Sequence, residues 1–90
     1  MARYSLWIKR SARRELESIP TRADRRRVVN RIMSLADNPR PPGTAKLSRL
    51  ERYRIRQGRY RILYTVEDSV LLVHVIKIGD RKDVYRSMES

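Results

Sequence analysis

Apolar and polar positions change period several times along the chain. Tyr4, Leu6 and Ile8 alternate with Ser5, Trp7 and Lys9, which predicts a strand over 3–9. Ala12, Leu16 and Ile19 then follow at helical spacing, with Ser11 as the expected N-cap and Pro20 as the stop. Thr21 and Asp24 have the spacing of a capping box. Behind it, Val28, Val29, Ile32, Met33, Leu35 and Ala36 form the apolar stripe of a second helix, with Arg25, Arg26, Arg27 and Arg31 on its other face. Two short helices meeting at 19–21 read as a helical hairpin.

Three prolines in Asn38-Pro39-Arg40-Pro41-Pro42-Gly43 forbid further helix. Strands are predicted over 53–57, 60–66 and 70–78. Gly58-Arg59 suits a two-residue type II′ turn, which wants glycine first. Glu67-Asp68-Ser69 turns the second of these strands into the third, and Gly79-Asp80 ends it. Residues 81–86 are open to a short helix or an extended tail. The expected fold is α+β, in the order β-α-α-β-β-β: an antiparallel sheet with the helical hairpin packed on one face, over a single domain 1–90.

The turn at Gly58-Arg59 also fixes a register. Gln57 pairs with Tyr60, Arg56 with Arg61, Ile55 with Ile62, Arg54 with Leu63 and Tyr53 with Tyr64. Tyr53, Ile55, Ile62 and Tyr64 then face the helices, while Arg54, Arg56 and Arg61 share the opposite face. Like charges directly across a ladder are destabilising. A solvated basic face is the plain account of such a row. A cross-strand arginine pair with a third arginine beside it points further, to an anion site that a nucleic-acid phosphate would occupy.

Charge strengthens that reading. The 90 residues carry 22 Lys+Arg against 10 Asp+Glu, a net charge of +12, and of the 22, 18 are arginine and 4 lysine. Arginine grips phosphate bidentately where lysine acts as a point charge. An arginine-rich basic domain is the electrostatic footprint of a nucleic-acid partner, with a partly acidic protein as the rival. With 40% hydrophobic residues the chain is globular stock rather than a basic tail. A chain this short buries only about 60–65% of its unfolded surface.

Arg81 and Tyr85 are four apart, so one helix face presents both. Neighbouring guanidiniums favour phenolate, which makes Tyr85 a candidate general base; its plain alternative is closing one end of the core. His74, the single histidine, shares a strand face with Leu72 and Ile76 and reads as a core or interface residue. No cysteine is present, which excludes disulfides, thiolate metal sites and a cysteine nucleophile, and fits a reducing, cytoplasmic setting. Glu67, Asp68, Asp80 and Asp83 lie in turns without a ligand constellation, so neither metal nor other cofactor is expected. No apolar run approaches a membrane span.

Four segments carry a resemblance: YSLWIKRS (4–11), LADNPRPP (35–42), YRIRQGRYRILY (53–64) and VIKIGDRKDVY (75–85). Through them the chain resembles, over essentially its whole length, the RelE branch of the RelE/ParE superfamily of toxins from type II toxin–antitoxin modules. The resemblance implies a metal-independent endoribonuclease that cuts mRNA in the ribosomal A site, the 2′-hydroxyl attacking the adjacent phosphate. It implies Tyr85 as general base, Arg61 stabilising charge on the phosphate, and Arg81 serving the phosphate and the leaving oxygen. Arg54 and Arg56 fall where the best-studied branch has lysines, and with Lys82 they are the implied RNA-phosphate contacts. Guanidinium does not give up its proton, so at 54 and 56 the role narrows to electrostatic preorganisation.

The implied partners are a cognate, RelB-like, partly acidic antitoxin, the ribosome with its mRNA, and operator DNA mainly through the antitoxin. The alternative within the superfamily is a ParE-like toxin that binds and inhibits DNA gyrase without cutting RNA. A third reading is a toxin that has lost activity and persists as an antitoxin-binding partner.

Overall fold

The computed structural model describes residues 3–47 and 52–80. Strand β1 (Ser5–Ile8) leads into helix α1 (Arg10–Glu17) and helix α2 (Arg22–Ser34), and then into β2 (Ala45–Leu47), β3 (Arg52–Gln57), β4 (Tyr60–Glu67) and β5 (Leu72–Asp80). One five-stranded sheet has the order β1-β5-β4-β3-β2. The α+β fold and the helical hairpin are as expected; the sheet differs in two respects. It gains the short strand β2, which pairs antiparallel with β3 from Ala45↔Arg54 to Leu47↔Arg52. And β1 runs parallel to β5, Ser5↔Leu72 to Ile8↔Val75. Tight turns force antiparallel neighbours, but β1 reaches its partner only through the rest of the chain, so no hairpin constrains its direction.

Each boundary has a local cause. Lys9 N–H donates to the Val75 carbonyl (2.9 Å), so strand pairing runs up to Lys9 and the helix opens immediately after it. Lys9, not Ser11, is therefore the N-cap residue, without a side-chain cap. At α2 the expected cap forms: Thr21 Oγ1 accepts from the Asp24 N–H at 3.3 Å. Arg25 Nη2 donates to the Ile19 carbonyl (3.0 Å), satisfying a group at the end of α1 and tying the two helices together. Of the four arginines expected on the outer face of α2, Arg25 and Arg31 are thus half-buried, while Arg26 and Arg27 are exposed.

Gly58 has φ +60° and Arg59 is not in positive φ, which is the type II′ turn expected there. The register of β3 with β4 follows residue for residue. The next turn is longer than expected. A 3₁₀ turn at Asp68–Val70 is followed by Leu71 at φ +50°, so β5 starts at Leu72 and Val70 is left exposed.

The core lies between the hairpin and one sheet face. Ala12, Leu16, Ile19, Val28, Ile32 and Leu35 meet Tyr53, Ile55, Ile62, Tyr64, Val66, Val73, Val75 and Ile78. Burying each large apolar side chain contributes about 1.5–3 kcal/mol. Strict alternation after Val73 and Val75 would drive Lys77 into that core. A bulge prevents it: Tyr64 pairs with Val75 but Leu63 with Lys77, leaving Ile76 extra and placing Ile78 inside. Beyond Ile8, β1 no longer covers β5, and Glu15 of α1 takes over that edge. Its Oε1 accepts from the Ile78 N–H (3.2 Å), and its carboxylate pairs with Lys77.

Candidate active site

On the sheet face away from the helices, β3 contributes Arg54 and Arg56 and β4 contributes Arg61. A two-residue turn makes Gln57↔Tyr60 the closing hydrogen-bonded pair, so Arg56↔Arg61 is a non-hydrogen-bonded pair, the type with the nearest side chains. Their Cβ atoms are about 5 Å apart in such a pair. On its other side Arg61 pairs with Gly79, which has no side chain to offer it. Arg61 is only 4% exposed, yet its Nε is buried without a hydrogen-bond partner, and no ion pair reaches its guanidinium among the described residues. A buried, unpaired cation is the costliest arrangement a side chain can adopt in a fold.

Arg56 is exposed and Arg54 half-buried, as an anion arriving from solvent requires. Arg52 belongs to the same row, since it lies two residues before Arg54 on β3 and pairs with Thr65. It escapes the sequence reading because the strand begins at 52 rather than 53. No carboxylate stands on this face among the paired residues from Arg52↔Thr65 to Gln57↔Tyr60; Glu67, at the end of β4, shares the face beyond the last pair. Continuing across the sheet from Arg52 and Thr65 come His74 and Trp7, paired with each other between β5 and β1. Trp7 is 66% exposed, and His74 is half-buried on the same side, so the core alternative for His74 falls away.

Arg81, Lys82 and Tyr85 lie outside the described residues. The described chain ends at Asp80, paired with Tyr60. Arg59 holds Asp80 through Nε (2.8 Å) and Nη2, and lies over the Tyr60 ring at 5.9 Å. This clamp joins the hairpin tip to the end of β5 next to Arg61. It pairs residues 21 apart and leaves no mark in local periodicity.

A cleft of about 550 Å³ on the helix side is lined by Arg14, Glu15, Tyr60 and Asp80 among others. Both its carboxylates are already used, Glu15 with Lys77 and Asp80 with Arg59. In the arginine row, by contrast, the Arg61 Nε has no partner among the described residues. Among the described residues no three His, Asp or Glu side chains come together to hold a metal ion, and no helix is long and apolar enough to cross a membrane. What the row can do chemically is bind an anion and stabilise charge that develops on it.

At the far end of β3 the electrostatics are opposite in kind. Arg40 donates to both Asp68 oxygens (3.0 and 2.9 Å) and, through Nε, to Tyr53 Oη (3.0 Å). Tyr4 Oη donates to Asp68 Oδ1 at 2.5 Å. The Arg40 guanidinium and then the Tyr4 hydroxyl hold the Asp68 carboxyl at about 2. Tyr64 Oη donates to the Pro39 carbonyl (2.7 Å), and burial raises the Tyr64 phenol. The proline loop is thereby fastened to the core.

The family model described as ParE toxin of type II toxin-antitoxin system, parDE, matches residues 6–85. The chain belongs to this toxin family, within the RelE/ParE superfamily. No curated protein sequence matches it. Among solved structures the toxin is similar to one in the RelBE2 toxin–antitoxin complex of Mycobacterium tuberculosis, with 28% identity, 92% of this chain and 97% of that one covered, and a TM-score of 0.77. It is similar to the RelE–RelB complex of Pyrococcus horikoshii, with 25% identity, coverage of 92% and 99%, and a TM-score of 0.76. A mutant of the Escherichia coli toxin RelE in the free state shares the fold at 24% identity, with coverage of 99% and 94% and a TM-score of 0.77.

Proposed function

We propose that this toxin is a ribosome-dependent endoribonuclease that cleaves mRNA in the A site without a metal. The observation that carries this reading is Arg61: a buried side chain whose Nε has no partner among the described residues, directly across from Arg56. Stability alone gives no reason for that placement, whereas a phosphate passing from one negative charge to two gives a direct one. In this reading Arg61 stabilises the dianionic phosphorane-like transition state, and Arg54, Arg56 and Lys82 position the strand. Tyr85 removes the 2′-hydroxyl proton as that oxygen attacks phosphorus. Arg81 stabilises the departing 5′-oxygen, which takes its proton from water. The products are a 2′,3′-cyclic phosphate and a 5′-hydroxyl. Since Arg54 and Arg56 cannot exchange protons, proton removal rests on Tyr85.

A cognate antitoxin follows from the module type. The M. tuberculosis and P. horikoshii structures are toxin–antitoxin complexes, and a net charge of +12 favours a partly acidic partner. The second reading, gyrase inhibition, is favoured by one observation, the match to the ParE family model over residues 6–85.

Primer extension on a defined mRNA, with and without programmed ribosomes, separates the two. Ribosome-dependent cuts inside the A-site codon are expected, with Tyr85→Phe reducing them by about 10²–10⁴-fold, the usual range for removing a general base. Absence of cuts from folded wild-type toxin, together with inhibited supercoiling, would establish the gyrase reading instead.

A further inference from the structure

Helix α2 carries a second row of polar groups. Arg27, Asn30, Arg31 and Ser34 recur at i, i+3, i+4 and i+7, so they form one stripe. With Gln57 at the tip of β3 they line a groove of about 290 Å³. β2 covers β3 only from Arg52 to Arg54, so among the described residues no strand pairs with this end on that side.

The lining offers two guanidiniums, two amides and one hydroxyl. Arg27 Nη1 donates to Asp24 Oδ1 at 3.2 Å, and Ser34 Oγ donates to the Arg31 carbonyl at 2.6 Å, so these two groups are partly engaged within the helix. Arg31 is half-buried, and its Nε is buried with no hydrogen-bond partner among the described residues. Its position in the last turn of α2 gives a modest helix-dipole benefit, which accounts for a cation there but not for an unbonded Nε. Buried polar groups are as a rule bonded, and each exception asks for a ligand or another reason. The unbonded Arg31 Nε, the remaining N–H groups of Arg27 and two side-chain amides, with no carboxylate lining the groove, match a tetrahedral oxyanion.

We infer that the groove between α2 and the β3 tip is a phosphate site that seats the phosphodiester backbone of a nucleic-acid strand. Gln57 lies next to Arg56, which stands on the opposite sheet face. One strand crossing this edge of β3 therefore contacts both the groove and the arginine row. The site goes beyond the cleavage reading, because it binds phosphate whether or not the toxin cuts RNA.

The test follows the Arg31 Nε–H resonance by NMR in the full-length toxin. Inorganic phosphate and a 12-nucleotide 2′-O-methyl RNA, which cannot be cleaved, are the probes. Both are expected to shift the resonance, the oligonucleotide saturating at lower concentration. Asn30→Glu places a carboxylate in the groove at an exposed helix position with no packing role. It should abolish the shift, weaken oligonucleotide binding by about tenfold and lower the salt slope of binding by about 0.7–0.9. Arg27→Gln should act in the same direction.

A resonance unmoved by either probe would overturn the site. So would an equal response to polyglutamate of matched charge, which would mark an acidic-protein surface. Tighter saturation by inorganic phosphate than by the oligonucleotide would overturn the backbone assignment. Loss of cleavage in Tyr85→Phe with the Arg31 shift retained keeps this result separate from the cleavage reading.

Discussion

Arg40 and Arg61 sit at the two ends of one β-ladder and are treated in opposite ways. Arg40, with 38% of its side chain exposed, is bonded to both Asp68 oxygens and to Tyr53 Oη, and its guanidinium lies 5.1 Å from the Tyr53 ring centre. Arg61, only 4% exposed, has a buried Nε with no partner among the described residues. A fold optimised for stability would pair the buried cation first, since solvent already serves the exposed one. The inversion separates two ends: the Arg40 end fastens the proline loop to the sheet, and under the proposed cleavage the Arg61 end keeps a positive potential in reserve for an incoming anion. Unrelieved charge is typical of sites that spend stability on function.

Replacing each arginine by an apolar residue of similar length should break this contrast most sharply. Arg61→Met is expected to lower ribosome-dependent cleavage by about 10²–10³-fold, the loss usual when one charge-stabilising donor is removed. The same change should raise stability by about 1 kcal/mol, because an unpaired buried cation gives way to an apolar side chain. Primer extension and chemical denaturation on the same preparation read both effects. A variant that loses stability while keeping full cleavage would show Arg61 to be structural.

The tyrosine beneath the other end comes next in size. Tyr64→Phe removes the bond to the Pro39 carbonyl, and Pro39 is buried, so an acceptor is stranded at a cost of about 1–2 kcal/mol. Cleavage at a temperature where the variant is folded should be unchanged. Arg40→Met should cost somewhat less, about 1 kcal/mol, since its carboxylate partner is open to water and screened. Denaturant midpoints check both, and a fall in cleavage beyond the folded fraction would mean that the loop also serves the site.

The two ends were also unequally legible from sequence. The Arg56↔Arg61 pairing is set by a two-residue turn with glycine first, so period-2 alternation carried the register outward without error from Gln57↔Tyr60 to Tyr53↔Tyr64. The Arg40 cluster was invisible, because Arg40–Asp68 and Tyr4–Asp68 join residues 28 and 64 apart with no shared period. The direction of β1, the short β2 and the bulge at Lys77 were missed for a related reason. Each is decided by which edge remains open after the core closes, not by the residues of the segment itself. The burial of Arg61 was likewise beyond alternation, which gives the face but not the depth. Arg81, Lys82 and Tyr85 stay at the level of the resemblance, outside the described residues.

The smallest effect tests the partnered end by pH. Asp68 is held at about 2 in the folded chain by Arg40 and Tyr4, against an ordinary value of 3.8. A carboxyl depressed by folding contributes stability that is fully present above its unfolded value and is lost as pH falls through its folded one. Denaturant midpoints of wild type and Asp68→Asn should therefore differ by a constant amount above about pH 5, where the carboxylate is ionised in both states. Below pH 4 the difference should narrow, and it should close near pH 2 as the wild-type carboxyl takes up its proton. Arg61 has no carboxylate partner among the described residues, so the same scan on Arg61→Met should run parallel to wild type throughout. A gap between wild type and Asp68→Asn that stays flat down to pH 2 would mean that the Arg40 bonds owe nothing to the charge of Asp68.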